Sequence, residues 1–390
     1  MNDQSLITNL RVQLDAQQAA HLYRQRRIQN APAQPRGNSD GQPVLSFCSN
    51  DYLGLANHPA VIAALQRGAE RWGVGSGAAH LVNGHTAAHH ALEEELAEFT
   101  GQPRTLLFST GYMANLGVIT ALIGRGETIV QDRLNHASLL DGAQLSRATL
   151  RRYAHGNINE LNDLIAKHHP HCIVTDGVFS MDGDLAPLPA LTQIARAAGA
   201  WLLIDDAHGF GVLGRGGRGS LNHFELSANE TTIVMGTLGK AFGTFGAFVA
   251  GAEAVIETLI QRARSYIFTT AMPPALAEAT RVSLLLAESD DWRREQLRAL
   301  IARFRHGATQ LDLPLADSFT PIQPLLTGSA ARALTWSAAL ETAGILVTAI
   351  RPPTVPVGTA RLRITLSAAH TEAEVDRLLA TLIATQPAPD

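Results

Sequence analysis

From Val44 onward the chain alternates short apolar runs with longer amphipathic stretches, and this alternation leaves few folds open. Residues 105–108, 128–130, 172–175, 201–204, 232–235 and 247–250 are short and apolar throughout, as strands buried on both faces must be. Between them, Leu92, Leu96 and Phe99 mark one helical face, stopped by Gly101. Leu191, Ile194 and Ala198 mark another, stopped by Gly199. Strand and helix in alternation predict an α/β fold: a mainly parallel sheet flanked by helices.

The two ends read differently. Leu6, Leu10, Leu14 and Leu22 predict an amphipathic helix over roughly the first 30 residues, and the Pro- and Gly-rich stretch 30–42 predicts a linker. Beyond 285 the pattern changes to one long helix over 289–310 and strands at 345–349 and 360–365. A last helix opens with the capping box Thr371-x-x-Glu374. The expected organisation is an N-terminal helix and linker (1–43), a large domain (44–285) and a smaller α+β domain (286–390).

Composition excludes several classes. A chain of 390 residues buries a large core without staples. A net charge of −4 argues against a polybasic nucleic-acid binder. Cys48 and Cys172 make neither a disulfide framework nor a paired zinc motif, which suits a reducing compartment. The N-terminus lacks the apolar run of a signal peptide, and no stretch approaches ~20 apolar residues, so no membrane partner and a cytoplasmic location are expected.

Open parallel sheets bind ligands beyond the carboxyl ends of their strands, so the residues just after the apolar runs carry the information. The run 201–204 delivers Asp205-Asp206-Ala207-His208-Gly209. The run 232–235 leads into Thr237-Leu238-Gly239-Lys240. A lysine by itself is most often a solvated surface group. A lysine at one strand end with an acid at another is what pyridoxal phosphate requires: the lysine binds it as a Schiff base, and the acid keeps its pyridine nitrogen protonated.

Competing motifs are weaker. Gly209-Phe-Gly211-Val-Leu-Gly214 spells a dinucleotide fingerprint, but no strand ending in an acid follows at the required distance. Gly239-Lys240 lacks the rest of a phosphate-binding P-loop. His85, His89 and His90 fall at helical spacing without the glutamate of an HExxH site, so they read as a partly buried helix start and no metal is expected.

The strand-end motifs, with Ser49-Asn50-Asp51-Tyr52-Leu53-Gly54-Leu55, Ser109-Thr110-Gly111-Tyr112, Asp132-x-x-Asn135-His136-Ala137-Ser138 and Gly177-Val-Phe-Ser180-Met-Asp-Gly183, resemble the α-oxoamine synthases across nearly all of 44–385. These are fold-type I pyridoxal phosphate enzymes, and the resemblance implies a seven-stranded sheet and a homodimer. His80-Leu-Val-Asn-Gly-His85, Ala271-Met-Pro-Pro274 and Ile350-Arg351-Pro-Pro-Thr354-Val-Pro356 are most similar to the branch that joins L-alanine to a pimeloyl thioester in biotin synthesis, carried by coenzyme A or an acyl carrier protein. Relatives joining glycine to shorter acyl groups are the nearest rivals. A scaffold that has lost catalysis is the non-enzymatic one, and the presence of Lys240 opposes it.

Residue by residue, the resemblance implies that Lys240 carries the cofactor, Asp205 pairs with its ring nitrogen, and His208 and Ser180 hold its phenolic oxygen. His136 stacks on the ring and serves as an acid. Gly111, Tyr112 and Thr237 hold the phosphate, joined by Thr270 of the neighbouring subunit. Arg351 grips the amino-acid carboxylate, Asn50 lies near the reacting groups, and Arg24 and Thr354 contact substrate. Asp176 stands where many relatives carry Glu and is left outside this set.

Overall fold

The computed structural model describes residues 3–388. Two compact units make up the chain: residues 50–297, and residues up to 49 together with those from 298 onward. The compositional breaks at 43/44 and 285/286 do not coincide with this division, because the N-terminal segment belongs to the same unit as the C-terminal one.

The larger unit is built on seven strands: β1 (Arg104–Phe108), β2 (Thr128–Asp132), β3 (Thr149–Tyr153), β4 (Cys172–Asp176), β5 (Trp201–Asp205), β6 (Thr232–Thr237) and β7 (Ala247–Gly251), in the spatial order β1-β7-β6-β5-β4-β2-β3. Only β7 runs against its neighbours. Successive side chains leave opposite faces of the sheet, so its interior strands need apolar residues on both. Cys172, Val174 and Leu203 join a core with the helices Gly111–Leu122 and Ala137–Ser146, while Ile173, Leu202 and Ile204 join another with the helix Leu188–Ala198. Gly101 and Gly199 end their helices in the left-handed conformation, as their positions predict. Strand β3, Thr-Leu-Arg-Arg-Tyr, escapes the apolar pattern because it lies at the sheet edge and buries Tyr153 alone.

In the other unit, the expected linker is in part a hairpin: Arg36–Ser39 pairs with Gln42–Ser46, and Ile345–Leu346 adds a parallel third strand. Asp40 and Gly41 both take positive φ at the turn, which lets so polar a stretch reverse. A second sheet pairs Ile322–Gly328 and Thr348–Ile350 with Ala360–Thr365. The expected strand 345–349 is therefore two strands in two sheets. The N-terminal helix spans Asp3–Ala19 rather than 30 residues, and Leu6, Leu10 and Leu14 stay exposed. The expected helix 289–310 is present as Asp291–Gln310, and Asp290 separates it from a preceding helix, Pro274–Ser289. The Thr371–Glu374 capping box is present as predicted.

Candidate active site

The sheet brings its acids and lysine to one end. Asp176 and Asp205 are register partners at the ends of β4 and β5, and Asp206 N–H donates to the Met235 carbonyl on β6 at 2.8 Å. Lys240 follows β6 in a tight turn, where Gly243 N–H returns to the Lys240 carbonyl at 2.8 Å.

Two hydrogen-bonded chains start there. Lys240 Nζ lies 2.9 Å from His208 Nε2, and His208 Nδ1 lies 2.7 Å from Tyr52 Oη. Tyr52 donates to Asn50 Oδ1 at 3.2 Å. With the tyrosine proton committed to Asn50, His208 donates from Nδ1, and Nε2 is left to accept from Lys240. In the second chain, Asn115 Nδ2 donates to Asp205 Oδ2 at 2.7 Å and to Ser138 Oγ at 2.8 Å. Ser138 Oγ lies 2.7 Å from His136 Nδ1, and Ala207 N–H donates to Asp205 Oδ1 at 3.1 Å.

His136 caps the helix Ala137–Ser146, its backbone N–H fixed by Asp176 Oδ2 at 2.8 Å. Although His136 is exposed as a residue, desolvation lowers its pKa; Asp205 opposes this, Lys240 adds to it, and Asp141 opposes it more weakly. Asp176 is buried beside Asp205, and these two causes hold its carboxyl well above the usual carboxylate range. At the first turn of Gly111–Leu122, Thr110 caps Met113 N–H at 3.2 Å. Among the described residues, the Gly111 and Tyr112 N–H groups find no acceptor. Such a terminus suits an anion. Thr237 Oγ donates to the Gly246 carbonyl at 3.1 Å, bracing the turn before Lys240.

Ser180 is half-buried in the turn after β4, and Thr270 is exposed beyond the short helix Arg264–Ile267. Arg24, Arg351 and Thr354 line a cleft of about 610 Å³ in the other unit. There Arg351 donates to the His21 carbonyl and, at 3.3 Å, to that of Tyr23. Partial burial, then the nearby Arg24, lowers its pKa. In the dinucleotide-like run Gly211 and Gly214 pack against Ala241 and Asn222, whereas Gly209 and, beyond the run, Gly219 pack against Asp206: a Cβ at Gly209 would lie 2.0 Å from Asp206 Oδ1, and one at Gly219 would lie 2.3 Å from Oδ2. The latter two cradle a buried acid.

Comparison with known proteins identifies the family. Residues 42–382 match the model of the class I and II aminotransferases. An 8-amino-7-oxononanoate synthase of Pseudomonas syringae pv. syringae is 62% identical over 96% of this chain and 95% of its own. One from Methylococcus capsulatus is 62% identical over 93% and 95%. The chain belongs to the class I and II aminotransferase family, among the 8-amino-7-oxononanoate synthases. Solved structures of the family superpose over most of the chain. Serine palmitoyltransferase from S. paucimobilis, with a bound pyridoxal phosphate–myriocin adduct, reaches a TM-score of 0.92 at 28% identity, covering 99% of this chain and 98% of its own. The 8-amino-7-oxononanoate synthase of Francisella tularensis reaches 0.78 at 34%, covering 87% and 96%.

The residues present fit pyridoxal phosphate, the cofactor of this enzyme family. A lysine amine, a buried carboxylate and two unpaired helix N–H groups supply the three kinds of contact it needs. Tyr52 completes the Lys240 chain and Asn115 the Asp205 chain; Tyr52 belongs to the Ser49–Leu55 motif but carried no role of its own, and Asn115 belongs to no motif. Asn115 is one polar residue inside an apolar helix, and that placement was its signal.

Proposed function

We propose that this chain catalyses the decarboxylative condensation of L-alanine with a pimeloyl thioester, giving 8-amino-7-oxononanoate, CO2 and the free thiol carrier in biotin biosynthesis. The directed chain Lys240–His208–Tyr52–Asn50, alongside the Asp205–Asn115–Ser138–His136 chain, carries this reading. Pyridoxal phosphate, when bound at Lys240, supplies an electron sink for negative charge at the amino-acid Cα.

The chain's own residues do the rest. Lys240 Nζ takes the Cα proton and later returns one, with His208 Nε2 fixing where the amine points. Asp205, oriented by Asn115, would keep the cofactor's ring nitrogen protonated. Gly111, Tyr112, Thr237 and Ser180 bind the cofactor's polar groups. His136 would pack against the bound cofactor and serve as an acid toward the thioester carbonyl as it gains charge. Arg351 and Arg24 recognise carboxylates, for which a planar guanidinium gives two parallel bonds, and Thr354 borders the same cleft. Asn50 ends the Lys240 chain near the reacting groups.

A homodimer supports the assignment of Thr270 to the partner's phosphate site. Phe268, two residues earlier, is 70% exposed, as a ring covered only on assembly would be. Cys48 and Cys172 are both free thiols, which suits cytoplasmic work. Among the described residues no helix is long and apolar enough to cross a membrane.

Turnover of L-alanine and glycine, each with pimeloyl, acetyl and succinyl thioesters, tests the assignment. Preference for alanine with the pimeloyl donor supports it, and preference for glycine with a short donor overturns it. Repeating the pimeloyl assay with coenzyme A and acyl carrier protein identifies the carrier.

A further inference from the structure

The histidines at the start of the helix Ala87–Thr100, His85 just before it and His89 and His90 in its first turn, divide into two kinds. His89 is fully engaged: Nδ1 accepts from Thr86 N–H at 3.0 Å, and Nε2 donates to the Met272 carbonyl at 2.7 Å. It belongs to the helix cap. His85 and His90 have nitrogens left over: His85 Nε2 faces Glu93, and His90, whose Nε2 also lies 3.5 Å from Glu94 Oε1 on the exposed side, has a nitrogen within 4.8 Å of both His85 and Glu93.

We propose that His85, His90 and Glu93 form a binding site for a zinc-class divalent cation. His90 and Glu93 are three residues apart on one helical face, and His85 enters from the preceding loop. One nitrogen of each histidine and one Glu93 oxygen lie within 4.8 Å of one another, with His85 Nε2 4.0 Å from Glu93 Oε2. Ligands around tetrahedral zinc stand roughly 3.4 Å apart, given bonds of about 2.0–2.2 Å, so modest side-chain rotations close the site.

The surroundings orient these groups. Glu93 Oε1 accepts from Leu107 N–H at 2.9 Å, which leaves Oε2 facing the imidazoles. His85 Nδ1 is 3.0 Å from His80 Nδ1, and one of the two nitrogens must carry the proton. When His85 donates, its Nε2 lone pair points at Glu93, the tautomer a metal needs and the outer support that ligating histidines have. His80 is itself held by stacking on Tyr266, with ring centroids 5.1 Å apart. Arg104, the nearby cation, is turned to Glu257 at 3.4 Å and Glu253 at 3.8 Å.

The three groups line a cleft of about 300 Å³, which leaves room for water as a fourth ligand. Two neutral imidazoles and one carboxylate select zinc, cobalt or nickel over magnesium or calcium, which prefer oxygen alone. No residue of the Lys240 or Asp205 chains takes part. Bound metal would tie the segment His80–Gly84 and its following loop to the helix and, through Glu93, to β1.

The test is equilibrium dialysis of untagged, chelator-washed holoenzyme against micromolar zinc, with metal counted by elemental analysis. Wild type retains one equivalent. His90→Ala, at a side chain 66% exposed and so without effect on folding, weakens binding roughly tenfold or more, as does Glu93→Gln. His168→Ala, in a separate histidine cluster, changes nothing. Failure to retain zinc, binding unaltered by His90→Ala, or loss through His168→Ala would each overturn the proposal.

Discussion

The amine of Lys240 lies 2.9 Å from Nε2 of His208, and Tyr52 and Asn50 fix the direction of that bond from the imidazole's far side. Tyr52→Phe removes the acceptor for His208 Nδ1–H and frees the ring to turn. We expect kcat to fall roughly tenfold to a hundredfold, with a stability loss of about 1–3 kcal/mol from the unpartnered His208 N–H, since the phenyl ring itself still fills the buried site. Steady-state kinetics beside thermal melts separate the two effects.

Asn115 holds Asp205 and Ser138 with one amide, in a fully buried position. Asn115→Leu leaves Asp205 with a lost donor. A buried acceptor without its partner costs about 1–3 kcal/mol. The expected outcome is a lower melting temperature together with weaker cofactor retention on dialysis. A variant that melts lower but keeps its cofactor would confine Asn115 to packing.

Gly243 closes the turn that carries Lys240. Its φ is +64°, and a Cβ there would lie 2.3 Å from Ala56 N and 2.6 Å from the Leu55 carbonyl carbon, both backbone atoms that cannot swing aside. Conformation and overlap together predict that Gly243→Ala loses about 2–4 kcal/mol in denaturant unfolding.

His155 is clasped between Asp132, at 3.1 Å, and Asp184, at 2.7 Å. Burial opposes its charge, but hydrogen bonds to the two carboxylates outweigh burial and raise its pKa to about 10. The folded value lies above the unfolded one, near 6.5. The clasp's stabilisation is therefore complete below that value, and it is lost as pH rises toward 10. His155→Gln should cost about 1–2 kcal/mol at pH 6, after allowance for the ring's partial exposure. The difference from wild type should shrink steadily by pH 10, and a constant difference would refute the charged clasp.

Residues whose surroundings are local were the legible ones. The apolar runs gave six strands because each is buried on both faces, whereas β3 buries only Tyr153 and left no comparable pattern. Lys240, His208 and Asp205 were readable because they follow strand ends, where an α/β sheet exposes its chemistry. Asn115 and Tyr52 act through neighbours far away in sequence. Asp176 was passed over as a shortened glutamate, although its carboxylate holds the His136 backbone. The hairpin at Arg36–Ser46 was hidden because its turn residues outnumber its apolar ones.

The central claim is that Lys240 is the cofactor's covalent anchor. Lys167 is the only other lysine in the sequence, and it is exposed on the helix Ile158–His168. Borohydride reduction of the protein loaded with pyridoxal phosphate, followed by peptide mass spectrometry, decides between them. The account predicts one stoichiometric phosphopyridoxyl group on Lys240, absent from Lys240→Ala. Stoichiometric label on Lys167 with Lys240 unmodified, or no stable label at all, would contradict it.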